Sequence, residues 1–271
     1  MANELFSVKD KVVVITGAAG ILGNSMVHHF AAEGAKVVIL DRNEEAGNKL
    51  AADVKAKGGE VTFLYTDVLK KEVVEKNYDD IMTKYGRIDV LINGAGGNMA
   101  GATIAPDKTI FDLDIDAVKK VVELNLFGTV IPTMVFAKAM VEQKEGSIIN
   151  IASESVLRPL TRVAGYGVAK AAVVNFTKYM CGELATKFGS GLRVNAIAPG
   201  FFLTEQNRTL LTNPDGSLTP RSHTILAHTP YGRFGEPEEL LGTLQWLASD
   251  ASKFVSGTLT VIDGGFDAFS I

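Results

Sequence analysis

The chain has little with which to build covalent or metal-held structure. A single cysteine, Cys181, among 271 residues excludes an internal disulfide and any cysteine-based metal cluster. Set among helix-forming neighbours from Lys178 to Glu183, it reads as a small buried hydrophobe rather than a nucleophile. The four histidines include no pair spaced one helical turn apart around a glutamate, so no metal site is expected. Positive charge is scarce too. Lys and Arg number 27 against 31 Asp and Glu, a net charge of −4 with no long basic run, which gives nucleic acid no electrostatic footing. No uninterrupted run of 18 apolar residues occurs, and the first residues lack a signal-peptide core. The expectation is a soluble cytoplasmic protein with neither a membrane nor a nucleic acid as partner.

What is present is a globular composition, 46% hydrophobic and 21% charged. Short β-branched runs lie at 12–16, 36–41, 61–66, 90–93, 147–152, 193–198 and 258–263. They are nearly continuous apolar segments, as strands covered on both faces require. Between them lie stretches of helix length at 20–33, 43–57, 70–85, 112–143, 163–188 and 236–249. This alternation predicts an α/β domain with a parallel sheet and helices on both faces. No shift in composition divides the chain, so residues 1–271 read as one domain. One segment breaks the rhythm. Residues 201–235, with turn signals at Asn213-Pro214-Asp215-Gly216, are too long for a plain connection and read as a lid.

The first strand runs into Gly17-Ala18-Ala19-Gly20-Ile21-Leu22-Gly23 and then a helix. Glycines there allow a tight turn and close approach of backbone to a pyrophosphate, with the helix amino terminus facing the charge. A plain turn of small residues would look similar. Asp41, closing the second run, can accept hydrogen bonds from ribose hydroxyls and would repel a 2′-phosphate, which favours NAD over NADP. Arg42 follows it and could pair with such a phosphate. Asp67 and Val68 end the third run where an adenine would lie, and Asn93, Ala95 and Gly96 end the fourth at the same sheet edge. Further on, Tyr166 and Lys170 stand one helical turn apart. The ammonium should lower the phenol pKa from about 10 towards neutrality and equip it to exchange a proton with a substrate oxygen. A solvated surface pair has the same spacing.

Taken in order, these motifs resemble the short-chain dehydrogenase/reductase family over residues 9–266. The match comprises the glycine turn, Asp41, Asp67, Asn93 to Gly96, Asn125 within Asn125-Leu126-Phe127-Gly128, Ser153, Tyr166 with Lys170, and Pro199-Gly200 with Thr204. The resemblance implies a Rossmann-like, doubly wound parallel sheet of seven strands and a tetrad of Asn125, Ser153, Tyr166 and Lys170. Tyr166 would be the acid/base, and Ser153 would hydrogen-bond the substrate oxygen. Lys170 would hold the nicotinamide ribose, and Asn125, on a locally distorted helix, would position a relay water. Pro199, Gly200, Phe202 and Thr204 would face the nicotinamide and phosphates. One departure is that Ile21 stands where the family places its middle glycine, with Gly20 just before it.

Within the family, residues 201–208 and the carboxyl-terminal segment are similar to enzymes that interconvert D-mannonate and D-fructuronate. That implies a small sugar-acid substrate, met by Asn98, Glu154, Asn207, Arg208 and Arg158, with Arg162 and Arg221 as further guanidiniums. Arg158, between the serine and the tyrosine, is the best-placed carboxylate clamp. The alternatives are a gluconate 5-dehydrogenase, another polyol or ketoacyl reductase, or a catalytically silent nucleotide sensor or scaffold on the same fold. The apolar tail with Phe266, Phe269 and Ile271 suggests subunit contact, and a homotetramer is the expected assembly.

Overall fold

The β-branched runs go where their patterning requires. In β1 (Val12–Thr16) Val13 and Ile15 face one side of a sheet, Val12 and Val14 the other, and all four are at most 1% exposed. The computed structural model describes residues 2–203, 208 and 211–269. Its strands continue with β2 (Lys36–Asp41), β3 (Val61–Tyr65), β4 (Val90–Asn93), β5 (Gly146–Ile151), β6 (Leu192–Pro199) and β7 (Leu259–Ile262). They form one parallel sheet in the order β3-β2-β1-β4-β5-β6-β7. This is the Rossmann-like, doubly wound α/β architecture expected from the sequence. The strand order reverses between β1 and β4, and the crevice at their carboxyl ends is where such sheets bind ligands.

Helices cover both faces. On the Val13 side pack α2 (Ile21–Ala32) and α3 (Glu44–Ala56), through Met26, Phe30 and Leu50. On the Val12 side pack α4 (Lys71–Tyr85), α6 (Gly128–Gln143) and α7 (Ala164–Phe188), through Ile81, Phe136, Met140 and Met180. A short α1 (Ala2–Leu5) precedes the sheet. Half-buried Cys181 packs against the second apolar cluster.

Two elements differ from the pattern read along the chain. The stretch 112–143 is not one regular helix. It contains α5 (Ile115–Val122), a π-helical turn at Glu123–Phe127, and then α6. π-turns insert a residue into the helical ladder and occur often at functional sites. The second difference is α8 (Pro220–Ala227), a helix inside the segment read as irregular. It is short, starts with proline at its first position, and is capped by the Thr219 side chain accepting from Ser222 N–H. A bridge between Phe202 and Gly235 ties the ends of that segment together. Beyond it, α9 (Leu241–Ala248) packs Leu244 and Leu247 on the first face. One helical run, Ile115–Gln143, has the length and mean hydropathy (1.5) of a membrane span. Here 56% of its apolar window is buried inside the protein, as in a core helix.

A chain of buried amides and hydroxyls joins the central strands to the helices above them. Asn93 Nδ2 donates to Thr133 Oγ1 (2.9 Å) and to Asn150 Oδ1 (2.8 Å). Asn150 Nδ2 donates in turn to Thr177 Oγ1 (2.9 Å), which donates to Val173 O (2.8 Å). Replacing Asn150, fully buried, with alanine leaves Asn93 short of an acceptor. The expected cost is roughly 2–3 kcal/mol, read from the urea unfolding midpoint of Asn150→Ala.

Candidate active site

The cleft at the switch point begins with close backbone contacts. Gly17 has φ 66°, and a Cβ there would lie 2.7 Å from Ala95 Cα and 2.9 Å from Gly94 O. A Cβ on Gly23 would meet Gly17 O at 2.5 Å. Gly20 is different. Its φ is −72°, and a Cβ would find only Gly17 O at 3.4 Å, so ordinary residues fit there. This accounts for the displaced glycine pattern: the turn requires glycine at 17 and 23, and the position between tolerates variation. Gly20 caps α2 without a side chain, which leaves the amides of Ile21, Leu22 and Gly23 facing the cleft.

A cavity of about 460 Å³ runs over this turn, lined also by Asp41, Asn43, Gly94 and Gly96. Asp41 Oδ2 accepts from Ala19 N–H and Oδ1 from Asn43 N–H, both at 2.9 Å, which fixes the carboxylate at the cleft's edge. Arg42 beside it is exposed. Asp67 accepts from Leu69 N–H at 3.1 Å, and Val68 is buried against Gly128. Thr16 was not singled out by the sequence. Its hydroxyl accepts from both Gly94 and Ala95 N–H at 3.1 Å and fastens the post-β4 loop to the glycine turn. A polar residue closing an apolar strand before a glycine turn is the signal that marks it. Of the expected cofactor contacts, two have side chains engaged with other parts of the protein and one is not described. The Asn93 side chain is engaged in the buried amide chain below the crevice. Phe202 packs its ring on Gly235 in the apolar core. Thr204 lies outside the described residues.

The tetrad candidates converge on the far side of the same loop. A Cβ on Gly96 would lie 2.7 Å from Asn125 Oδ1 and 3.2 Å from Lys170 Nζ, so only a glycine lets these groups close on the backbone. Asn125 sits in the π-turn. It accepts from Gly97 N–H at 2.9 Å and donates to Gly97 O at 2.6 Å and Val121 O at 2.8 Å. Lys170 Nζ donates to Ile151 O at 2.7 Å and lies 5.7 Å from the Tyr166 ring centre. Burial draws the ammonium down to about 8. Burial also pushes the Tyr166 phenol above its ordinary value, opposed only by the facing Ser153 hydroxyl. This corrects the sequence expectation that Lys170 draws the phenol towards neutrality. Desolvation of the phenolate outweighs an ammonium whose proton is directed at a carbonyl.

Beside Tyr166 and Ser153 opens a second cavity, about 390 Å³, lined also by Asn98, Glu154, Arg162, Arg221 and Gly200. Gly200 is held by its N–H on Ile262 O at 2.9 Å, next to Pro199 at the end of β6. Asn98 Nδ2 donates to Thr103 Oγ1 at 2.7 Å, which sets the amide in the wall. Glu154 is 1% exposed, and neither carboxylate oxygen has a hydrogen-bond partner within 3.5 Å. Burial first, then the facing carboxylates of Asp263 and Asp267, push it up to about 7 against the pull of Arg158. Arg158 does not line the cavity. Its guanidinium binds Asp267, with Nε to Oδ1 at 3.2 Å and Nη2 to the Asp267 carbonyl. The carboxylate clamp expected of Arg158 is therefore corrected: the tail takes up that guanidinium. Arg208 is exposed, outside the cavity lining, and Asn207 lies outside the described residues. Phe266 packs edge-on against Phe201 of its own chain, ring centres 5.2 Å apart.

Gly17→Ala should cost roughly 2 kcal/mol and weaken NADH binding, since it meets both a strained φ and a backbone clash. Gly20→Ala should stay within about 0.5 kcal/mol of the parent in urea unfolding and leave NADH fluorescence titrations unchanged. For Glu154, a folded pKa raised above 4.5 to about 7 means that the native state holds the proton longer than the unfolded chain. That stabilisation is complete below pH 4.5 and is lost as pH rises through about 7. Glu154→Gln should remove this loss, on the order of 2–3 kcal/mol, and flatten the melting temperature between those limits.

Comparison with known proteins identifies the family. The family model for short chain dehydrogenase matches residues 11–215. The chain is 43% identical to "Uncharacterized oxidoreductase UxuB" of Bacillus subtilis over 96% of both chains. It superposes at a TM-score of 0.91, with 40% identity over 97% of both chains, on a crystal structure described as a "putative D-Mannonate oxidoreductase" from Haemophilus influenzae with bound NAD. A gluconate 5-dehydrogenase from Burkholderia cenocepacia in complex with NADP and tartrate matches at 0.87, with 32% identity over 100% of both chains. The chain belongs to the short-chain dehydrogenase family and is an NAD(P)-dependent oxidoreductase acting on alcohol and ketone groups.

Proposed function

We propose that the chain transfers a hydride between NAD(H) and the secondary alcohol or ketone of a sugar acid, with D-mannonate and D-fructuronate as the pair. The observation that carries this reading is the cavity on the substrate side of Tyr166. It combines the buried carboxyl of Glu154, the amide of Asn98 and two arginines with apolar residues such as Leu160, Phe201 and Leu211, and those polar groups suit a hydroxylated acid. The likeness to the NAD-bound Haemophilus influenzae structure supports it.

The glycine turn fits a dinucleotide, because side-chain-free backbone and uncapped helix amides line its cleft. When bound, a nicotinamide dinucleotide supplies the hydride donor or acceptor. The Asp41 carboxylate at the cleft's edge favours ribose hydroxyls over a 2′-phosphate and hence NAD over NADP. The protein's own residues handle the proton. Tyr166 Oη gives a proton to the substrate oxygen in reduction and takes it back in oxidation, while the Ser153 hydroxyl donates to the same oxygen. Lys170, held by Ile151 O, holds the ribose and lends positive charge as the phenolate forms. Asn125 pins the loop at Gly97 that separates the two cavities.

Residues 1–271 act as one domain in this reading, and residues 201–235, carrying α8, form a lid over the cavity. The assembly is a cytoplasmic homotetramer, for which Phe127, Met134, Val168 and Tyr179 offer exposed apolar contacts on neighbouring helical elements. A second reading, oxidation of gluconate at carbon 5, draws on the tartrate-bound relative. A silent sensor is disfavoured by the presence of all four tetrad residues.

The test is NADH oxidation with D-fructuronate, D-tagaturonate, 5-ketogluconate and neutral ketoses. D-fructuronate should give the highest kcat/KM, and a preference for 5-ketogluconate or for a neutral ketose would replace the substrate assignment. Tyr166→Phe should lower kcat at least about 100-fold with NADH affinity retained.

A further inference from the structure

The cavity beside Tyr166 holds two guanidiniums that no carboxylate neutralises among the described residues. Arg162 leaves the loop after β5 with φ 74°, a conformation that residues with a Cβ seldom adopt. Its backbone and its side chain are both tied to Ile104. Ile104 N–H donates to Arg162 O at 2.9 Å, and Arg162 Nε donates to Ile104 O at 2.6 Å. Arg162 lines the cavity, and its terminal amino groups form no hydrogen bond with the described residues. Arg221 comes from α8, and its Nη1 donates to Thr161 Oγ1 at 2.9 Å and its Nη2 to Thr161 O at 3.3 Å. It is thereby fastened to the residue next to Arg162. Burial and the Arg162 charge both hold the Arg221 guanidinium below its ordinary value, as expected of like charges brought together out of water. Glu154 in the same cavity forms no ion pair with either arginine, and its cationic neighbour is Arg158.

We propose that Arg162 and Arg221 form a two-pronged clamp for the carboxylate of the substrate. The assignment rests on the reading that this cavity takes a sugar acid, and it names the groups that select the acid over a neutral sugar. Two planar guanidiniums in one cavity can present parallel N–H donors to both oxygens of a carboxylate. The clamp draws on three separate segments: Ile104 of the post-β4 loop, Arg162 of the post-β5 loop, and Arg221 of α8. An anion bridging the two arginines relieves their mutual repulsion and draws α8 against the loops beside Tyr166. Acid recognition and the seating of α8 against the post-β5 loop are then one event.

The experiment compares matched acid and neutral compounds on the NAD-loaded protein. D-mannonate against D-mannitol is measured by calorimetric binding, and D-fructuronate against D-fructose by NADH oxidation. Variants are Arg162→Gln, Arg221→Gln and the charge-keeping Arg221→Lys, each checked for an unchanged melting profile. The clamp predicts that either glutamine variant loses about 30-fold in affinity and KM for the acids and less than about 3-fold for the neutral partners. Arg221→Lys should recover part of the loss, and Arg158→Gln should show no acid-selective effect. Equal losses for acid and neutral compounds overturn the clamp, even where D-fructuronate is turned over and the functional reading stands. Tighter binding of mannitol 1-phosphate than of D-mannonate also overturns it. Acid-selective binding lost in the variants supports the clamp even where no hexuronate is reduced, an outcome that removes the substrate reading alone.

Discussion

Everything in this site depends on one stretch of backbone that carries a single methyl side chain, Gly94-Ala95-Gly96-Gly97 at the carboxyl end of β4. From one side the glycine turn closes on it, Gly17 lying so near that its own Cβ would fall 2.7 Å from Ala95 Cα. From the other side the Asn125 amide and the Lys170 ammonium approach Gly96 to distances that a methyl group would violate. The segment is thus a thin partition. The dinucleotide cleft lies on the glycine-turn side, and the proton-handling residues and substrate cavity lie on the other. Hydride transfer requires donor and acceptor carbons in contact, so a dinucleotide held at the glycine turn would extend past Gly96 to Lys170 and the cavity beside Tyr166. Thr16, through both amides of the loop, and Asn125, through Gly97, hold it from opposite ends.

The sequence made the architecture legible because apolar runs covered on both faces leave few topologies open. The seven strands fell where those runs lay. The cofactor turn was legible for the same reason, since glycine at a positive φ leaves a local trace. Interactions that cross long stretches of chain left none. Arg158 seemed the natural clamp by its place between Ser153 and Tyr166, yet its partner is Asp267, and only the folded tail reveals that the guanidinium is already engaged. The same holds for α8. Eight residues with a proline start carry too weak a period to stand out, and its placement of Arg221 beside Arg162 depends on tertiary packing. The Tyr166 and Lys170 pair was found by spacing, but the sign of the phenol's shift was set by burial, which spacing does not encode.

The electrostatics of the two cavities differ in a way that suits their occupants. Around the dinucleotide the protein offers amides, a helix amino terminus and one anchored carboxylate, all fixed before anything binds. On the substrate side it offers groups held away from their ordinary protonation states by desolvation: a phenol pushed up, an ammonium drawn down to about 8 and a carboxyl raised to about 7. Perturbed groups gathered in a cleft are a mark of chemistry rather than of structural support. Their cost to stability is offset by the interleaved strand and helix core below, which is apolar on both faces of the sheet.

In this enzyme a hydride moves between the nicotinamide and a sugar acid in the cavity beside Tyr166, while Tyr166 handles the proton. The most direct measurement is a single turnover with NADH deuterated at C4 and D-fructuronate, with the product analysed by mass spectrometry and NMR. The account predicts D-mannonate carrying one deuterium at the newly formed carbinol carbon, and loss of that product in Tyr166→Phe. No deuterium in any sugar acid, or undiminished transfer in the Tyr166→Phe protein, would contradict it.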